Sequence, residues 1–230
     1  MAVAVRGDGP RGAAVLLAVP ASLSGTLGLW AYYRGMAVGA MSVVAPIAGI
    51  SAAVPVTVGL ATGDRPSGWQ IAGIVLALAG VALASREHQE GQRRVAAGVG
   101  LALLAAVGFG GYFVPMHVAG AEDFWWASLV FRATSFSVIA LTALALRSPV
   151  RVSRGDAAFV AAVGVGDTLG NVLFAASSGH GLVSVTSVLA SLYPIVTVAL
   201  ARVMLGERID RGQELGVVAT LAGVVLISVG

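Results

Sequence analysis

Stretches free of charged residues recur along the chain at the length of a membrane helix. Crossing the hydrocarbon core takes about 20 mostly apolar residues. Residues 12–33 carry no charge and end at Arg34; residues 35–63 follow, interrupted by Pro46 and Pro55; residues 66–85 come next. A polar connector, residues 86–94, then intervenes. Beyond it lie residues 95–120, residues 124–146 with the single charge Arg132, residues 157–179 with the single charge Asp167, residues 181–201 and residues 215–230. The pattern predicts eight transmembrane helices, three before the connector and five after it. Tight links such as Gly35 and Gly179–Gly181 would join them.

Composition removes the competing classes. Hydrophobic residues make up 57% of the 230, and charged residues only 11%. A soluble domain carries about 25% charged residues. A soluble globular domain, a disordered chain and a nucleic-acid binder are therefore excluded. Cys is absent, which removes disulfides, thiolate metal sites and thiol nucleophiles. Three scattered His offer no multi-His metal site. All 14 basic residues are Arg, in a chain rich in Ala, Gly and Val, which points to a GC-rich bacterial genome. Arg6 and Arg11 precede an apolar run as in a secretory leader. Asp8 sits among them, though, and the run continues to Tyr33, so the segment reads as a span.

A repeat underlies the pattern. Shifted by 143, residues 63–85 meet residues 206–228 with 11 of 23 positions identical. Gly63-Asp-Arg65 meets Gly206-Glu-Arg208, Gln70 meets Gln213, Gly73 meets Gly216, and Leu78-Ala-Gly-Val81 meets Leu221-Ala-Gly-Val224. Upstream, Gly39–Ser42 aligns with Gly181–Ser184 after a one-residue insertion. Residues 13–85 thus read as a first repeat of three helices, residues 86–94 as a connector, and residues 95–229 as a second repeat of five. A unit with an odd number of helices inverts its copy across the bilayer, and such repeats mark many transporter folds.

Several of these segments resemble the EamA-type transporters of the drug/metabolite transporter superfamily. They are Ser42-Val-Val-Ala-Pro-Ile47, Leu192-Tyr-Pro-Ile-Val-Thr197, Leu205-Gly-Glu-Arg208 followed by Gln213 and Gly216, and Gly170-Asn171 at that family's eighth-helix position. The resemblance covers nearly the whole chain. It implies an all-α membrane protein of ten helices in two inverted five-helix repeats around a central cavity. This chain would be a 3+5 form lacking the first two helices. The implied activity is transport of small organic metabolites, often outward, by alternating access in the bacterial cytoplasmic membrane. The implied partners are a small-molecule substrate and the bilayer.

No catalytic, cofactor or metal constellation is visible: no phosphate loop, no paired His and no Ser–His–Asp set. The Gly residues in apolar helices, Gly73, Gly80, Gly216 and Gly223 among them, suit close helix packing. The expected substrate pathway is drawn from Trp30, Tyr33, Pro46, Tyr112, Arg132, Asp167, Asn171, Tyr193 and Pro194. Arg132 and Asp167 each lie deep in a span, where charge is expensive and faces a cavity or a partner. Arg132 would attract an anionic group of the substrate, or simply form a structural pair with Asp167. Asp167 is a deep carboxylate through which proton coupling would run. Asn171, one turn after Asp167, serves as helix–helix glue or as a substrate contact. Trp125 and Trp126 beside Glu122 and Asp123 read as an aromatic belt. Pro46 and Pro194 remove backbone donors inside apolar helices, leaving a carbonyl for the cavity or for a neighbouring hydroxyl.

Orientation has two readings. Ten Arg fall on one side and Arg6, Arg11 and Arg65 on the other. The positive-inside rule then places both termini outside, whereas the resemblance places them in the cytoplasm. The short first repeat also admits a non-transporting fragment, or a scaffold subunit that forms a homodimer or takes its missing helices from a partner chain.

Overall fold

The computed structural model describes residues 9–10, 12–38, 44, 48–84, 95–147, 152–190 and 211–229. Pro46, Tyr193, Pro194, Ser42 and Glu207 lie outside them, as does the polar connector. The described residues are almost wholly helical. A 3-10 turn, Ala13–Leu17, leads into α1, Ala18–Val38. A second, Ile50–Ala52, leads into α2, Ala53–Thr62. Then come α3, Gly68–Ala84; α4, Val95–Ala145; α5, Ala157–Ser177; α6, Val183–Ala190; and α7, Arg211–Val229. Among the described residues, three helical stretches are long and apolar enough to cross a membrane: Ala13–Val38, Gly100–Ala145 and Ala157–Ser177.

The 46 residues of Gly100–Ala145 would rise about 69 Å as one helix, more than twice a bilayer's hydrocarbon thickness of about 30 Å. They do not form one rod. Asp123 leaves the helical region at φ −155 and ψ 96. Its Oδ1 accepts hydrogen bonds from the Trp125 and Trp126 amides at 3.1 and 3.2 Å. That is an N-cap, so a new helix starts at residue 124. The two arms, 95–122 and 124–145, correspond to two of the expected spans.

One boundary differs from the expectation. Arg34 and Gly35 do not end the first helix; α1 runs through both to Val38. Nothing there breaks a helix, and Gly35 is needed for packing instead. A Cβ on it would stand 3.1 Å from Val44 Cγ1 and 3.4 Å from Leu101 Cβ. The links at Gly63 and Gly179–Gly181 fall where expected. Gly63 takes φ 112, a left-handed cap that favours glycine.

The chain divides into two compact units. The first comprises residues 1–23 and 115–181, the second residues 24–114 and 182–230. They cut across the sequence halves, because α1 and α4 each contribute to both units. In the first unit the Ser22 hydroxyl donates to the Phe131 carbonyl at 2.8 Å, and both residues are buried. Gly120 presses on the Ala175 backbone so closely that an added Cβ would sit 2.5 Å from the Ala175 carbonyl oxygen. The α5 helix is barely covered: only 6% of its apolar window is buried.

In the second unit Gly28 crosses Gly108, with an added Cβ 2.9 Å from the Phe109 nitrogen. The Ser24 hydroxyl donates to the Gly108 carbonyl at 2.8 Å. Small residues and hydroxyls let these backbones meet without a large apolar driving force, as membrane helices require. The α2 helix packs on α6, and α3 on α7.

The α3–α7 crossing is reciprocal. A Cβ on Gly80 would stand 2.6 Å from the Thr220 nitrogen and 2.7 Å from the Gly216 oxygen. A Cβ on Gly223 would stand 2.6 Å from the Ala77 nitrogen and 2.7 Å from the Gly73 oxygen. Adding 143 turns Gly80 into Gly223, Ala77 into Thr220 and Gly73 into Gly216. Each contact is therefore the image of the other. As one helix advances from Gly73 to Gly80 its partner runs back from Gly223 to Gly216, so the two lie antiparallel. A local two-fold axis passes between them.

Candidate functional site

Two polar constellations stand out, one in each unit. The first joins the two deep charges that the sequence pointed to. Asp167 lies ten residues from each end of α5, about 15 Å along the helix and so near the middle of the span. Arg132 lies about 12 Å into the second arm of α4. Arg132 Nη1 donates to Asp167 Oδ2 at 2.7 Å, with side-chain exposures of 29% and 61%. The guanidinium carbon also lies 5.6 Å from the Phe131 ring centre, in cation–π range. Arg132 Nε and Nη2 are shut off from solvent and meet no hydrogen-bond acceptor among the described residues.

Around the pair, α5 settles its other polar groups internally. Asn171 Nδ2 donates to the Asp167 carbonyl at 2.8 Å, within its own helix. Thr168 Oγ1 donates to the Gly164 carbonyl at 2.7 Å. A groove of about 540 Å³ runs beside Trp125, Ala161, Val165, Thr168, Leu169 and Val172. Its walls are apolar and carry no charge.

Of the remaining expected pathway residues, Trp30 and Tyr33 are exposed on α1, at 56% and 60%. Tyr112 sits on the first arm of α4 with its ring 5.1 Å from that of Phe113. All three belong to the second unit.

The second constellation escaped the sequence reading. The chain leaves α2 through Gly63, and the Asp64 amide donates back to the Gly59 carbonyl at 2.8 Å. That turn aims the Asp64 carboxylate at the start of α6. Its Oδ2 accepts from the Ser184 amide at 3.1 Å and from the Ser184 hydroxyl at 2.8 Å. Asp64 thus caps a helix 120 positions away, where negative charge suits the helix N-terminus. Gly59 makes room for it: a Cβ there would sit 2.5 Å from Asp64 Oδ2 and 2.9 Å from Val183 Cγ1. The signal in the sequence was the acidic position in Gly63-Asp-Arg65, but nothing in it named Ser184 as the partner. Gln70, notable in the repeat, proves to be half of a capping box. Its Oε1 accepts from the Ser67 amide at 3.0 Å, and its own amide donates to Ser67 Oγ at 3.1 Å.

The chain matches the sequence profile of the EamA-like transporter family over residues 96–229, more than half its length. It belongs to the EamA-like transporter family. It is accordingly a multi-pass membrane protein of a transporter family, within the drug/metabolite transporter superfamily. It is also similar to a protein of known crystal structure, with a TM-score of 0.70 at 16% sequence identity. That alignment covers 99% of this chain and 90% of the other. At such identity the likeness establishes the fold alone. No curated protein matches the chain.

Proposed function

We propose that this EamA-like protein moves small organic metabolites outward across the bacterial cytoplasmic membrane. It does so by alternating access around a cavity between two inverted repeats, residues 13–85 and 95–229, carrying eight spans in all. The observation that carries the reading is the Arg132–Asp167 pair. A charge pair near the middle of a span is costly in hydrocarbon and marks a solute or ion path. Transporter sites lie at that depth, between repeats. The antiparallel, reciprocal crossing of α3 and α7 supports the inverted relation of the halves. Trp30, Tyr33, Tyr112 and Asn171, together with Pro46, Tyr193 and Pro194, complete the proposed pathway.

The test is release from proteoliposomes. Vesicles holding the purified chain are loaded with a bacterial metabolite extract, and mass spectrometry identifies the solutes that escape. Wild-type protein is expected to deplete one chemical class, and Arg132→Gln to deplete none while still inserting. No difference from protein-free vesicles overturns the function. Direction is read in intact cells: over-production is expected to lower the internal level of the released solute, and a raised level overturns export.

One observation favours a second reading, a subunit completed by further helices. A shift of 142 superposes Thr26-Leu27-Gly28 on Thr168-Leu169-Gly170. Gly28 is seated against Gly108, whereas a Cβ on Gly170 would meet nothing within 4 Å. Gly170→Cys, in a chain with no other Cys, is expected to form a disulfide-linked or cross-linked species in membranes on this reading. A species that stays monomeric under oxidant and bifunctional reagent counts against it.

A further inference from the structure

Arg132 is gripped at one corner only. Asp167 takes Nη1, at 2.7 Å. Nε and Nη2 form the opposite edge of the guanidinium, with two parallel N–H bonds, and both are buried without an acceptor among the described residues. A buried charged donor left without an acceptor is strongly unfavourable. A neighbouring Asp or Glu would ordinarily take this edge in a bidentate fork, and none among the described residues does. The plane of the fork is fixed from two directions, by the ion pair to Asp167 and by the Phe131 ring. One water can accept from one of the two N–H groups. A planar carboxylate accepts from both at once, with oxygens spaced to match.

We propose that the Nε–Nη2 edge of Arg132 seats a carboxylate of the transported solute, so that the cargo is a small organic acid in its anionic form. The inference rests on the transporter reading above and names its substrate class. Asp167 then acts as a positioning residue. It holds the guanidinium from the far corner and leaves the buried Nε–Nη2 edge without an acceptor among the described residues. Lysine in place of Arg132 would keep the charge. It could not offer two parallel N–H bonds to the cargo while holding Asp167 with a third.

The experiment uses the full-length chain in detergent, with unfolding followed by Trp fluorescence. The probes are propionate, succinate and benzoate, their neutral amides propionamide, succinamide and benzamide, and sulfate and phosphate, all at equal ionic strength. At least one carboxylate is expected to raise the unfolding midpoint saturably, while its amide and the tetrahedral anions do not. Arg132→Gln is expected to lose the saturable response, and Arg132→Lys to need at least tenfold more ligand. Where the Gln variant does not stay monodisperse, the Lys variant carries the comparison. The carboxylate seat is overturned if no acid shifts the wild-type midpoint, or if amides, sulfate or phosphate act equally well. It is likewise overturned if Arg132→Lys responds as wild type does. The vesicle assay fails separately: a protein that releases neutral or cationic solutes keeps its transport function and loses this inference.

Discussion

The α3–α7 crossing makes a quantitative demand. At Gly80 an added methyl would stand 2.6 Å from the Thr220 nitrogen, and at Gly223 2.6 Å from the Ala77 nitrogen. Ordinary contact begins at 3.4 Å, so alanine at either position must push the helices apart by roughly 0.8 Å, the difference between the two distances. Overpacking of this kind costs about 1–3 kcal/mol, and a gap of that size also forfeits about a quarter to a half of each neighbouring dispersion contact. Alanine's better helix propensity returns up to about 1 kcal/mol. Each single substitution should therefore lose about 1–2 kcal/mol. Because the contacts are images of each other, Gly80→Ala and Gly223→Ala should cost nearly the same. The double variant should cost little more than either single one, since one separation relieves both clashes; the coupling should be of order 1 kcal/mol. The assay is reversible unfolding in mixed micelles by SDS titration, followed by helical circular dichroism. Gly164→Ala is the control, because a methyl there meets nothing within 4 Å. Strict additivity of the two variants, or single costs differing by more than about 1 kcal/mol, would refute the reciprocal packing.

Three further outcomes are expected. Asp64→Ala should lower stability by about 1 kcal/mol, the usual loss on removing a helix cap, and Ser184→Ala on top of it should add little; an additive second loss in the same SDS titration would show that the two residues act separately. Gly28→Leu should abolish the monodisperse peak in size-exclusion chromatography, whereas Gly170→Leu, facing open space, should elute as wild type does. Asp167→Asn should abolish any dependence of solute release on an imposed pH gradient in proteoliposomes. Dependence retained at wild-type strength would remove Asp167 from energy coupling.

Much of this was legible in the sequence because membrane insertion writes itself into composition. Charge-free runs of span length locate helices directly, and the two deep charges, Arg132 and Asp167, drew notice because such positions are expensive. Their pairing was readable as an alternative but not as a geometry, since no pattern within one helix specifies which face another helix meets. The break at Asp123 was also legible in outline, because an acidic residue before an apolar run is a helix start signal. What stayed hidden was contact across long separations. Gly63-Asp-Arg65 looked like an ordinary polar link, and the carboxylate's target lies 120 residues downstream. Arg34 and Gly35 misled in the opposite sense. A charge followed by glycine resembles a helix end, yet a long Arg at the margin of a span keeps its head group in a polar setting, and the glycine serves packing.

The distribution of the acidic groups makes the strongest case for the site. Of the six acidic residues in described segments, four serve helix starts, and Glu122 ends the first arm of α4. Asp64 caps α6, Asp123 caps the second arm of α4, Asp156 stands at the N-cap position of α5, and Glu214 lies in the first turn of α7. Each of these placements has a structural cause, because a helix N-terminus welcomes negative charge. Asp167 has no such cause: it stands ten residues from either end of its helix and is largely exposed. Arg132 is likewise far from the termini of its arm. A fold that needed only stability would gain by replacing such a pair with apolar side chains of similar volume. Its presence at mid-span, with a buried guanidinium edge unpartnered among the described residues, is what the proposed solute role would account for.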